Sequence, residues 1–128
     1  MDAKTIGKLR KLINSIDTLP SDKLSERLSV YQSIIRIYKE KVKDCVLLPM
    51  VCYQRIASLY FAKLTSVKDI HKAQVHAELA KVFQILIPFM TEYSNPKSQS
   101  YFDSAQECML ENDFQHGISL YKGLVESA

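Results

Sequence analysis

Residues 98–128 hold the feature that most limits what this chain can fold into. Tyr101, Ala105, Cys108, Phe114, Gly117, Tyr121 and Leu124 recur there at the spacing of two short helices joined by a turn. A unit of that size has an apolar face that it cannot bury alone, so it has to be stacked on further helices. The pattern argues for a helical interaction module.

Composition agrees with a helical fold. Three glycines and four prolines in 128 residues leave little room for the turns of an all-β protein, and 47% hydrophobic with 24% charged residues is ordinary for a globular chain. A chain of this length buries roughly 65–70% of its unfolded surface, enough for a core without staples, so one domain over 1–128 is expected.

The formal charge of +3 is dispersed, with Lys4, Lys8, Arg10 and Lys11 in one group and Lys39, Lys41 and Lys43 in another. Interrupted by acidic and apolar residues, these groups read as solvated helix faces. A nucleic-acid or anionic-lipid footprint carries a stronger basic excess, so neither is an expected partner. Cys45, Cys52 and Cys108 form an odd set without a CxxC pair, and the start MDAKTIGKLRK is amphipathic rather than continuously apolar. Both point to a reducing compartment, with the cytoplasm expected and the nucleus left open. The longest apolar run, 46–53, contains Pro49 and falls far short of the roughly 20 residues that span a bilayer, so no membrane insertion is expected.

Periodicity lays out six helices. Ile6, Leu9, Leu12, Ile13, Ile16 and Leu19 form one stripe that ends at the Leu19-Pro20 step. Ser21 and Asp22 signal a cap, after which Leu24, Leu28, Tyr31, Ile34, Ile35, Tyr38 and Val42 continue at helical spacing. A third helix begins around Pro49 and is apolar nearly all round, as buried helices are. The run Ser66-Val67-Lys68-Asp69 has the form of a capping box and opens a fourth helix to about Leu86, where Pro88 predicts an ending or a kink. The face made by Ile70, Ala73, Ala77, Ala80 and Val82 on that helix predicts close helix–helix approach. Turn formers at 94–98 make the one linker. A fifth helix over 98–110, a tight turn at 111–113 and a sixth helix over 114–127 complete the chain.

From Tyr101, Ala105, Phe114, Gly117 and Tyr121 the last unit resembles a tetratricopeptide-type repeat. It departs from that pattern at Ser104, where leucine is usual, and at Gly117, where alanine is usual. Tyr53, Ile56, Ala57 and Tyr60 repeat the first-helix spacing, with Ala73, Ala77 and Ala80 on the second helix after a loop longer than the repeat normally has. The resemblance implies three stacked hairpins, at about 3–43, 48–92 and 98–127, of α-solenoid character. In such folds the first helix of each hairpin lines a concave groove. The corresponding positions are Val51, Gln54, Ser58 and Phe61, then Gln99, Phe102, Gln106 and Met109.

That lining is apolar and amide, suited to a partner helix or extended peptide held by apolar anchors and amide hydrogen bonds. Phe61 and Phe102 either anchor the partner or fill core. Clamp-type repeats need lysine and asparagine at groove positions, and Val51, Gln54, Gln99 and Phe102 do not supply them. The run 43–57, followed by an alanine-rich helix, is similar to the start of the family of the huntingtin-associated protein encoded within the factor VIII gene. That likeness implies a partner that is a large helical-repeat protein and a chain that corresponds to opening helices only. The C-terminal hairpin also resembles microtubule-interacting-and-transport domains, three-helix bundles that take endosomal tail helices.

No catalytic constellation stands out. His71 and His76 are five apart, on different helix faces, and read with His116 as partly exposed helix histidines; the cysteines read as small buried apolar residues. Gly7, Gly117 and Gly123 are isolated, so there is no phosphate-cradling loop, and neither HExxH nor GxSxG occurs. Asp103, Glu107 and Glu111 form a solvated acidic stripe at i, i+4, i+8. The expectation is an all-α, non-enzymatic adaptor or complex subunit with no cofactor, metal or catalytic residue, binding another protein. Self-association through the terminal hairpin is an alternative, because the chain ends at Ala128 without a polar capping helix.

Overall fold

The computed structural model describes residues 2–20, 22–41 and 47–127. Among these residues the protein is all-α, with six helices and no strand: α1 (Ala3–Thr18), α2 (Leu24–Lys41), α3 (Leu47–Ser66), α4 (Asp69–Tyr93), α5 (Ser98–Leu110) and α6 (Phe114–Ser127). The predicted cap at Ser21 and the positions Val42, Lys43 and Cys45 lie outside the described residues. The chain divides into two compact units, Met1–Tyr53 and Gln54–Ala128. The division falls inside α3 and not at the 94–98 linker, because α4 packs on α5 across that linker.

In the first unit α1 packs on α2. Asp2 caps α1 by accepting the Thr5 N–H at 2.7 Å, which satisfies one of the orphan donors of the first turn. That hydrogen bond also holds the Asp2 carboxyl below its ordinary value. The turn into α2 is tied by Arg27, whose guanidinium donates to the carbonyls of Leu19 at 2.8 Å and Pro20 at 3.1 Å. Leu9, Tyr31, Ile34 and Ile35 are buried, whereas Ile6 and Ile13 on the predicted α1 stripe remain exposed. Cys52 is buried, which pushes its thiol up to about 11 and leaves it an apolar filler at neutral pH. The Lys39 ammonium sits 5.9 Å from the Tyr53 ring centroid.

The second unit is organised by α4, whose inward face includes Ala80 and Val82 of the expected stripe but not Ile70, Ala73 or Ala77. Its buried stripe is Lys72, Val75, His76, Leu79, Phe83, Leu86, Ile87 and Met90, with Ala80 and Val82 beside it. Ile70, Ala73 and Ala77 are on the outside, so only Ala80 of the three alanines packs inward. Two large aliphatic and aromatic residues per turn bury more apolar area than alanines can, and that decides the rotation of the helix. The helix also runs five residues past Pro88. Pro88 and Gln84, whose carbonyl loses its partner, are both on the exposed side, where water can satisfy it.

The α3–α4 connection is also shorter and differently capped than expected. Ser66 belongs to α3 and donates to the Lys63 carbonyl, while Lys68 stands at the α4 N-cap without a side-chain cap. The buried Lys72 lays its stem against the core and donates from Nζ to the Val67 carbonyl at 2.5 Å, with Asp69 at 3.4 Å.

α5 and α6 complete this unit, α5 packing on both α4 and α6. At its centre the Tyr121 ring meets Phe83 at 5.6 Å, Phe102 at 6.3 Å and His76 at 5.4 Å between centroids. The Tyr121 hydroxyl and His76 Nε2 are 2.7 Å apart. Burial raises the phenol and lowers the imidazole, so both are neutral. A phenol is the better donor and an unprotonated imidazole nitrogen the better acceptor, so the O–H donates to Nε2. The sequence spacing predicts a partly exposed helix histidine at His76; it is instead buried in the core stripe.

Two outcomes follow from this pair. Tyr121→Phe leaves a buried imidazole nitrogen unpaired and should lower unfolding free energy by about 1–3 kcal/mol in urea titrations, and His76→Leu in the same background should recover part of it. Because the folded pKa of His76 is depressed, its contribution is fully present above the unfolded value of 6.5 and is lost as pH falls below it. Stability measured between pH 7.5 and pH 5 should therefore decline in the native chain and flatten in His76→Leu.

Candidate functional site

The α5–α6 hairpin carries the most developed surface, and its closed end explains its precision. α5 stops in a Schellman motif: Asp113 N–H donates to the Cys108 carbonyl at 2.8 Å and Asn112 N–H to the Met109 carbonyl at 3.2 Å. Asn112 takes the left-handed position with φ 63°, where asparagine is one of the few side chains tolerated. Asp113 then turns directly into the cap of α6, its Oδ1 accepting the His116 N–H at 3.4 Å. The two helices meet closely at Gly117, where a Cβ would stand 2.7 Å from Met109 Sδ and 3.3 Å from Cys108 Cβ.

At the open end of the hairpin lies a groove of about 260 Å³ lined by Asn95, Tyr101, Ser119, Leu120, Gly123, Leu124 and Ser127. Leu120 and Leu124 give it an aliphatic floor, and hydroxyls and an amide form its rim. A Cβ on Gly123 would meet nothing within 4 Å, so this glycine keeps the groove open without being required by packing. Asn95 is held in place because its carbonyl accepts Ser98 Oγ at 2.7 Å and its Oδ1 accepts the Lys97 N–H at 2.9 Å. Ser94 Oγ donates to the Ser127 carbonyl and ties the end of α4 to the end of α6.

The predicted groove positions are scattered by the structure. Phe102 and Met109 are buried in the second unit's core, Phe102 against Phe83 and Tyr121. Phe61, Gln54 and Gln106 are half-buried, and Gln99 and Ser58 are exposed, Gln99 donating to Asp103 at 2.9 Å. Val51 belongs to the first unit and is exposed. The resemblance placed Phe102 on the lining, but Phe102 is a core residue, because the inward face of α5 at Ser98, Phe102, Ala105 and Met109 packs on its neighbours. The groove residues Leu120 and Gly123 carry no sequence signal, since an aliphatic residue and a glycine on an amphipathic helix look like any others.

The hairpin also brings Cys108, Asp113 and His116 together at its closed end. Cys108 Sγ is 3.5 Å from His116 Nδ1, which is 3.6 Å from Asp113 Oδ2, and the three ligand atoms all lie within 4.8 Å of one another. Cys108 is half-buried rather than buried, in contrast to its sequence reading. Partial burial raises its thiol, and the carboxylates of Asp113, Glu111 and Glu107 raise it further. The acidic stripe Asp103, Glu107 and Glu111 is exposed along α5 and its end. His116 opens onto a depression of about 310 Å³ with Asp113, Gln115 and Ser119. Elsewhere in the unit, Tyr60, Lys63, Val67, His71, Gln74, Val75 and Glu78 line a more polar hollow of about 380 Å³ between α3 and α4. Burial and Glu78 raise the Tyr60 phenol there, leaving it neutral.

Replacing Phe102 by Asp should unfold the second unit, at a cost of at least about 3–5 kcal/mol from lost burial plus a charge placed among aromatic rings. The half-buried Phe61→Asp should cost less, and comparison of the two melting transitions by circular dichroism checks the ranking. No family model, curated protein or solved structure matches this chain.

Proposed function

We propose that the chain is a non-enzymatic protein–protein interaction module that takes a partner helix or extended peptide in the α5–α6 groove. The observation that carries this reading is the groove itself, with its aliphatic floor, hydroxyl and amide rim and open glycine. Among the described residues Tyr101 is the one titratable group on its lining, which suits recognition better than acid–base chemistry. Leucine side chains offer apolar anchorage while Asn95, Ser119 and Ser127 offer hydrogen bonds to a peptide backbone. Tyr93, 68% exposed and two residues before Asn95, adds apolar surface of the kind that binding partners cover. The tetratricopeptide-like spacing of the last unit agrees with small residues at packed positions, Ala105 and Gly117 both being buried. A protein of the cytoplasm is the setting proposed for it. Among the described residues no helix is long and apolar enough to cross a membrane.

A second reading, a tail-binding module of the microtubule-interacting-and-transport kind, is favoured by the packing of α4, α5 and α6 around one aromatic cluster. It differs in the partner: amphipathic tail helices of endosomal proteins.

Gly123→Phe is the discriminating variant. The position has free space, so the phenyl ring should fill the groove without unfolding the chain, and melting should stay within a few degrees of the native protein. Affinity purification with mass spectrometry from cytosol should recover a partner with the native chain and lose at least tenfold of it with the variant. Recovery unchanged by Gly123→Phe would remove the groove from the function, and synthetic endosomal tail helices titrated against both chains separate the two readings.

A further inference from the structure

We propose that Cys108, Asp113 and His116 form a three-ligand site for a zinc-class divalent cation at the α5–α6 turn. The donor set is thiolate, carboxylate and imidazole, the three types that zinc takes. Bonds of about 2.3 Å to sulfur and about 2.0–2.2 Å to nitrogen and oxygen set neighbouring donors of a tetrahedron about 3.4–3.6 Å apart. The Sγ–Nδ1 and Nδ1–Oδ2 separations of 3.5 and 3.6 Å have that value. The remaining sulfur–carboxylate edge, within 4.8 Å, closes by a small rotation of the exposed Asp113 side chain.

Hydrogen bonding alone does not account for the arrangement. The Sγ···Nδ1 contact of 3.5 Å has hydrogen-bond length for sulfur, but Nδ1–Oδ2 at 3.6 Å is too long for one, so the carboxylate's approach is left without a hydrogen bond of its own to the ring. A cation in the middle satisfies all three donors. The supporting contacts also fit: Asp113 Oδ1 holds the His116 N–H, which orients the carboxylate and leaves Oδ2 free to ligate. The Schellman turn and the close approach at Gly117 set the distance between the ligand-bearing ends of the two helices. Glu107 and Glu111 add negative potential that favours a cation. Asp113 and His116 border an open depression with Gln115 and Ser119, from which water would supply a fourth ligand. On binding, the thiol releases its proton to solvent as sulfur bonds the metal.

Co²⁺ titration of the intact, reduced chain tests the site, with Zn²⁺ added in competition. The expected result is a thiolate-to-cobalt charge-transfer band with tetrahedral ligand-field bands at one equivalent, bleached by Zn²⁺. Cys108→Ala should abolish the charge-transfer band, and Cys45→Ala should leave it intact. His116→Gln and Asp113→Asn should each weaken binding at least tenfold, the asparagine retaining the helix cap so that folding is unaffected. Zn²⁺ at a hundredfold excess over its Kd should raise the melting temperature by about 5 °C or more in the native chain and not in Cys108→Ala. A cobalt spectrum without sulfur charge transfer, one that survives Cys108→Ala, or affinity unmoved by His116→Gln overturns the site.

Discussion

The hydrogen bond between Tyr121 and His76 joins α6 to α4 at the centre of the second unit, and the placement of α5 depends on the same cluster. Phe83 and Phe102 close around the Tyr121 ring, so one residue from α6 touches two from α4 and one from α5. A polar pair in so apolar a setting stabilises only when both partners are neutral and matched, because an unpaired imidazole nitrogen there would cost more than the bond contributes. The pair therefore specifies one rotation of α4 and one depth of α6, in addition to the area it buries.

With α4 and α6 set, the α5–α6 hairpin presents two different ends. Its open end is a groove, since Gly123 leaves space above Leu120 and Leu124 and the Asn95 turn stands at the rim. Its closed end is rigid, because the last carbonyls of α5 and the first amides of α6 are satisfied within three residues. An apolar recess and a polar, hydrogen-bonded turn are suited to different tasks: the first to a chain segment, the second to a small ion whose donors need little rearrangement.

Much of this was legible from periodicity. The bounds of α5 and α6 follow from the turn formers at 94–98, the tight turn at 111–113 and the apolar spacing between them, which are local properties of the chain. Rotation was less legible. On α4 two stripes compete, one of Ile70, Ala73 and Ala77 and one of Val75, His76, Leu79 and Phe83, and a sum of hydrophobicity does not say that a histidine belongs with the second. Phe102 presents the same difficulty: an aromatic residue on a first helix reads equally as groove or core until its neighbours are known.

The sequence by itself determined that the chain is helical, where its last two helices begin and end, and that they must pack on others, because those properties rest on spacing, turn chemistry and unburied apolar faces. Only the tertiary structure decided which faces turn inward, that Asn95 and Ser127 border one recess, and that Cys108, Asp113 and His116 converge. The physical reason is that convergence depends on the left-handed residue at Asn112 and on how closely α5 and α6 approach at Gly117. Spacings of five and three residues along the chain do not encode either distance.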